Sequence, residues 1–403
     1  MKKSLVVVTA AYPYDTGEEF MDKEIAEATK YFDKILIYPL ENSNNLARKI
    51  PAGVEVRNCL CNKKFPTIRK KWTEMVSILL LELIKSGRFS FVLKNTKSLL
   101  RALYQCSQMA HLLSTDLKKS ELGQIHFYSV WMNLGATTLA ILKKRNQISN
   151  LVFRLHGYDL FDERREGNYM PFRVFNFKWA NRVFVLSKAG ATYIKAKKLY
   201  EYKIETNYSG LYNQGLGPFD PNAEFTVISC SNLHKFKRVH LILEALQRID
   251  FNCTWYHVGD GEQLSALKTQ MNGLPKNVKV KFLGRIPNQE LLTIYQQKQF
   301  NLFVHLSQTE GLGMAAVEAQ SFGIPALSVD VGGVSEVVND QTGILLNADA
   351  NADDVAKEIK KFRVSDKNTS DFRSKVRECF LKKFEAEENY KNFFDRIITI
   401  NQG

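Results

Sequence analysis

The stretch "FNLFVHLSQTEGLGMAAVEAQSFGIPALSV", Phe300 to Val329, decides the fold. FNLFVHLS is a short apolar run rich in aromatic and branched residues and reads as a buried strand. A loop punctuated by Gly311 and Gly313 follows. LGMAAVEAQSF then carries a helical pattern, and IPALSV returns to strand. Strand, helix and strand in this order imply a parallel sheet with a crossover helix on its face. Two acids bracket the turn. Glu310 stands just before the glycines, and Glu318 interrupts the apolar run Met314–Ala319, where a helix is expected to be buried. A buried carboxylate without a partner costs several kcal/mol, so a reason for Glu318 has to be found.

The same grammar extends outward in both directions. Towards the N-terminus come strand-like KSLVVVTAA, helical EFMDKEIAEATKYF, and strand-like KILIYPL, QIHFYSV, LVFRL and RVFVLS, with a helix over Leu134–Lys144. The Gly-, Pro-, Asn- and Asp-rich GLGPFDPNAE breaks the pattern. It then restarts with FTVISCS, RVHLILEALQRI, CTWYHVG, VKFLG and NQELLTIYQQ. The expectation is an α/β chain of two doubly wound, Rossmann-like domains facing across a cleft, residues 1–215 and 216–383. A final helix in 384–403 carries an apolar stripe, Tyr390, Phe393, Phe394 and Ile397, expected to pack back on the first domain.

The chain has 403 residues, 45% of them hydrophobic, enough for two cores. Its six cysteines show no paired metal spacing, and reduced thiols are expected. MKKSLVVVTAA mimics a signal peptide, but YPYDTGEE stands where small residues at a cleavage site belong, so a first strand is the better reading. No apolar run reaches spanning length. The net charge of +14 is uneven, because residues 57–119 hold thirteen Lys/Arg against three acids. Interleaved there with Phe65, Trp72, Phe89 and Phe91, these charges suit an anionic membrane surface or a solvated basic face. No nucleic-acid-binding signature accompanies them, and a nucleic-acid partner is not expected.

Ligands of such sheets bind beyond the carboxyl ends of the strands. At the Phe300–Val329 turn, glycines let backbone N–H groups approach a ligand, and a helix N-terminus favours phosphate. Eight residues of straight helix span about 12 Å, too far for both acids to share one small group. That length suits a nucleotide sugar, with a sugar hydroxyl at Glu310, a ribose at Glu318 and the diphosphate over the glycines between. SNLHKFKRVHLILEAL crowds Lys235, Lys237 and Arg238 at a helix start, where cations oppose the dipole unless an anion compensates; a solvated basic loop is the other reading of these residues. His156 ends the strand LVFRL, beside Gly157 and Asp159, where it could bond a hydroxyl, move a proton, or serve the structure alone. YPYDTGEEF offers a single glycine, Gly17, and is no dinucleotide fingerprint.

Taken together, these stretches resemble the retaining glycosyltransferases of the GT-B fold, family four. The resemblance covers nearly the whole chain. EGLGMAAVEAQSFGIPALSVDVGGVSEVV matches the family's E-x7-E stretch and the following G-G-x-x-E. RLHGYDLF, VISCSNLHKFKRV and YPYDTGEEFMDKEI resemble bacterial members that build surface polysaccharides. The resemblance implies a hexose-type transfer from a nucleotide-sugar donor, UDP-sugar ahead of GDP-sugar, to a lipid-linked or oligosaccharide acceptor, with no metal or other cofactor. It implies catalytic roles for His156, Glu310 and Lys237. Glu310 would touch the donor sugar and Glu318 the ribose. Leu312, Gly313 and Met314 amides, beside Gly311, would hold the diphosphate with Lys237. Gly17 would lie near the phosphates, and Arg285–Ile286 near the base. Where the family has an arginine, this chain has Asn232, which bonds but carries no charge, so Lys237, Arg238 or Lys235 must carry more of the neutralisation. The expected location is the cytoplasm, peripheral on the inner membrane face through residues 57–119. A GT-B sugar-nucleotide epimerase and a non-catalytic nucleotide-sugar-binding scaffold are the alternatives.

Overall fold

The computed structural model describes residues 2–14, 17–42, 48–61 and 71–400. The part of the basic segment from 62 to 70, Phe65 included, lies outside them. The chain divides into two compact units, residues 1–207 with 390–403, and residues 208–389.

The first unit is built on seven parallel strands: β1 (Lys3–Thr9), β2 (Lys34–Pro39), β3 (Val54–Val56), β4 (Gln124–Ser129), β5 (Val152–Leu155), β6 (Arg182–Val185) and β7 (Ile204–Thr206), in the order β3-β2-β1-β4-β5-β6-β7. The second holds β8 (Phe225–Cys230), β9 (Cys253–Val258), β10 (Val278–Gly284), β11 (Leu302–His305), β12 (Ala326–Val329) and β13 (Gly343–Leu346), in the order β10-β9-β8-β11-β12-β13. The central strands are buried on both faces, as parallel strands under crossover helices must be; Leu5 to Val8 of β1 are at most 1% exposed. The N-terminal apolar run is therefore a core strand.

Three strands escape the sequence pattern, and all three are sheet edges. β3, β7 and β13 span only three or four residues, too short for a period to register. The boundary also moves. GLGPFDPNAE is not the division; that falls at Asn207/Tyr208, and residues 384–389 belong to the second unit. The chain is tied to that unit before the Gly/Pro stretch begins. Leu211 donates its N–H to Phe384 O and accepts from Ala386 N, and Gly217 donates to Phe322 O. Past that point, helix Ala386–Thr399 lays its stripe on the first unit. Phe394 packs against Tyr31 and Phe32, Phe393 against Tyr128 and Phe184, and the Arg154 guanidinium lies 4.0 Å over the Phe393 ring.

Helix Trp72–Lys85 buries Met75, Ile78, Leu79 and one acid, Glu82. The carboxylate accepts from Phe175 N at 2.9 Å and from the Tyr169 hydroxyl at 3.1 Å. Burial pushes its pKa up to about 7, against the opposing pull of those bonds, from an ordinary 4.5. Over that interval the unfolded chain releases this proton and the folded chain keeps it. The term therefore lowers stability as pH rises from the ordinary value through the folded one. Glu82→Gln removes the titration. At pH 8 it is expected to exceed the wild type by on the order of 2 kcal/mol, with the gap closing towards pH 4 in melting curves. A constant difference across that range would refute the assignment.

Candidate functional site

In the second unit β8 and β11 are neighbours, while the strands numbered between them lie on the far side of β8. The order of the chain reverses here, so the connections leaving β8 and β11 run to opposite faces and leave a crevice at the strand ends. Both cationic and acidic turns of the sequence issue from this point.

The β8 connection carries Lys237 at the end of a short 3-10 turn, Lys235–Lys237, and the β11 connection carries Glu310. The two meet in a direct ion pair across 73 residues of sequence. A third group closes the cluster. His305, the last residue of β11, places Nε2 at 2.8 Å from Glu310 Oε1 and at 2.9 Å from the Ser307 hydroxyl. Burial would raise the Glu310 carboxyl, but the His305 hydrogen bond and the Lys237 ammonium outweigh it and hold the group well below the usual carboxylate range. Glu310 is thus an anion at any working pH and holds no proton to give to a leaving group.

Gly313 caps helix Met314–Ser321 with φ at 93°, a left-handed conformation that side chains resist. No described residue accepts from the N–H groups of Gly313 and Met314, so these first-turn donors are open to an anion. Leu312 is 2% exposed, and its side chain anchors the turn in the core. Glu318 departs from expectation, because it is partly exposed rather than buried. Helix Met314–Ser321 turns Ala316, Val317, Ala319 and Gln320 inward. At about 100° per residue, Glu318 falls opposite Ala316 and Gln320. Asn288 donates to its Oε1 at 2.8 Å.

The remaining residues of the second unit are disposed unequally. Asn232 is exposed just beyond β8. Arg238, with φ at 51°, gives its guanidinium to the carbonyls of Leu306 and Ala348, at 2.6 and 3.1 Å, so it braces the β11 connection from behind. Arg285 is exposed and Ile286 half-buried in the turn after Gly284. An open depression of about 390 Å³ lies beside Lys237, lined by His234, Lys235, Phe236, Glu262 and Gln308. Two partners were not foreseen, His305 for Glu310 and Asn288 for Glu318. His305 could have been suspected from a histidine inside an otherwise apolar strand, five residues before the acid. Nothing in the sequence points to Asn288.

Gly17 and His156 belong to the first unit. Gly17 is exposed with φ at 129°, on a loop fixed by Glu18, which accepts from the N–H groups of Ala10, Ala11 and Tyr12 and from the Trp131 indole. His156 follows β5, with its ring centroid 4.3 Å from that of Trp131 and 5.1 Å from that of Phe20. Neither ring nitrogen has a partner among the described residues. Burial, with a smaller push from Arg154, lowers its pKa to about 3. The imidazole is neutral near pH 7, so it can bond a ligand but carries no proton to transfer as an acid. Among the described residues no group of His, Cys, Asp and Glu could hold a metal ion.

Residues 219–378 match the family described as Glycosyl transferases group 1. The matched residues lie wholly within the second unit. Curated proteins match parts of the chain as well. N-acetyl-alpha-D-glucosaminyl L-malate synthase of Bacillus anthracis is 32% identical over 127 residues, 30% of this chain and 32% of the relative. The O-antigen biosynthesis glycosyltransferase WbnH of Escherichia coli is 28% identical over 138 residues, 34% of this chain and 37% of the relative. The chain spans about a third of the length of these curated relatives. Solved structures extend the likeness to both units. HepE of Anabaena, crystallised with UDP and glucose, superposes with a TM-score of 0.71 at 18% identity, over 98% of this chain and 99% of that one. The fold is that of the GT-B glycosyltransferases, two parallel Rossmann-like units in one chain.

Proposed function

We propose that the protein is a retaining, metal-independent hexosyltransferase of GT-B family four. It moves a sugar from a nucleoside-diphosphate sugar, UDP-sugar ahead of GDP-sugar, to a lipid-linked or oligosaccharide acceptor in surface-polysaccharide assembly. The observation that carries this reading is the Lys237–Glu310 ion pair, formed where the loops of β8 and β11 diverge and next to the open N–H groups at Gly313. Support for the donor class comes from HepE, crystallised with UDP and glucose, and for the pathway from WbnH, named for O-antigen biosynthesis.

In this reading the bond from C1 to the diphosphate breaks while the acceptor oxygen attacks C1 on the same face, and the acceptor proton leaves with the departing phosphate. An ammonium has three donors, so Lys237 can keep Glu310 and still bond a phosphate oxygen. The amides at Gly313 and Met314 meet the same growing charge, the main electrostatic task of such a step. Glu310, held ionised, takes the donor sugar's hydroxyls.

A melting-temperature panel of nucleotide sugars, followed by NMR of the product made by the best binder, tests the reading. A UDP-sugar is expected to raise Tm most and to yield a product with the donor's anomeric configuration. No stabilisation by any nucleotide sugar would sink the proposal, and an epimer formed without acceptor would point to the epimerase alternative. Binding without turnover over a broad acceptor set would favour the scaffold. Glu318→Ala is expected to raise the donor Kd by about tenfold or more with kcat little changed, as titration calorimetry and kinetics would report.

A further inference from the structure

Six of the eleven large apolar side chains exposed among the described residues fall within residues 72–93. Trp72, Val76, Leu80 and Ile84 recur at every fourth position of helix Trp72–Lys85 and are all exposed, while Met75, Ile78 and Leu79 are buried. Phe89 and Leu93 are exposed on the short helix Phe89–Lys94 that follows, and Ile84 is 78% exposed. Scattered apolar residues on a surface need no explanation, whereas a contiguous helical stripe does. Around the stripe, Lys71, Lys85, Arg88, Lys94 and Lys97 are all exposed. The acids of the same helix do not offset them at the surface. Glu74 is held by Arg145, and Glu82 is buried on the inner side.

An apolar stripe rimmed by cations has two natural occupants, an anionic bilayer and a second copy of the chain. Charge separates them. A second copy would bring the same cations against these, in a chain whose net charge is already +14. A bilayer with anionic headgroups attracts them and accepts the apolar side chains into its interface. We propose that helices Trp72–Lys85 and Phe89–Lys94 form a docking face for anionic membrane, with Trp72, Leu80, Ile84 and Phe89 entering the headgroup boundary and Lys85, Arg88 and Lys94 at the phosphates. The proposal does not depend on the proposed reaction.

Co-sedimentation of the full chain with phosphatidylcholine vesicles, with and without phosphatidylglycerol, tests this with neither donor nor acceptor present. The protein is expected to pellet with the anionic vesicles alone. The combined variant Leu80→Ser, Ile84→Ser and Phe89→Ser is expected to weaken partition at least about tenfold, and Lys85→Glu with Arg88→Glu by a comparable factor, each change acting on the surface potential or the buried area. Brominated lipid should quench a component of the tryptophan emission that Trp72→Phe removes. Circular dichroism and the donor-induced Tm shift, measured on each variant, separate loss of docking from loss of fold. Wild-type protein left in the supernatant, or equal pelleting of the triple-serine variant, would overturn the proposal. So would a concentration-dependent dimer in sedimentation velocity without lipid that the triple-serine variant abolishes, which would assign the face to self-association.

Discussion

Lys237→Ala is expected to lower kcat by about 10²- to 10³-fold, the usual effect of removing one preorganised donor from a developing anion. The ammonium is partly shielded from water and already held by Glu310, so no reorganisation is needed when charge appears on the leaving diphosphate. Its removal leaves Glu310, among the described residues, with the His305 contact alone. A carboxylate then faces the departing phosphates without an intervening cation. Donor affinity should fall as well, but by less, because the Gly313 and Met314 amides still meet the diphosphate. Single-turnover and equilibrium measurements on the same variant check this. A kcat within threefold of wild type, a small change on the scale of such donors, would remove Lys237 from the catalytic set. Arg238→Ala offers the contrast. Its guanidinium holds the carbonyls of Leu306 and Ala348, so the change is expected to lower Tm along with activity.

Glu310→Ala should separate turnover from binding in the opposite sense. The carboxylate neutralises Lys237, and without it the ammonium is free for phosphate. Nucleotide affinity is therefore expected to hold or improve, while kcat falls by about 10²-fold or more from the lost alignment of the donor sugar. Acid stability supplies an independent readout. Because Glu310 is held below its ordinary range in the folded protein, it contributes stability that is full above the unfolded carboxylate's pKa and fades as pH falls through the folded one. The Tm advantage of the wild type over Glu310→Gln should accordingly shrink in acid. Weaker nucleotide binding with unchanged kcat would reverse the roles given to Glu310 and Glu318.

The apolar runs of the central strands were legible because each is covered on both faces, and burial of that kind leaves a continuous hydrophobic signature. β3, β7 and β13 were not, since an edge strand of three or four residues owes its existence to the neighbour it pairs with. The Gly/Pro-rich GLGPFDPNAE looked like a hinge by composition, yet the backbone bonds of Leu211 and Gly217 place it on the second unit. Composition reports where the chain can bend, and non-local hydrogen bonds decide where it divides.

Within the site the sequence marked the acids, the glycines and Lys237, because a charge inside an apolar pattern and a glycine at a helix start are local anomalies. It misjudged Glu318, since an apolar run conceals which face of the helix looks inward. It was silent on how Glu310 is held. By itself the sequence determined that strands and helices alternate in two sets, and that one turn carries an acid, two glycines and a second acid eight residues on. Only the tertiary structure made β8 and β11 neighbours, and so brought Lys237 to Glu310 across 73 residues. Local periodicity encodes the elements, but strand order is set by how whole helices and sheet faces bury one another, a property no short stretch contains.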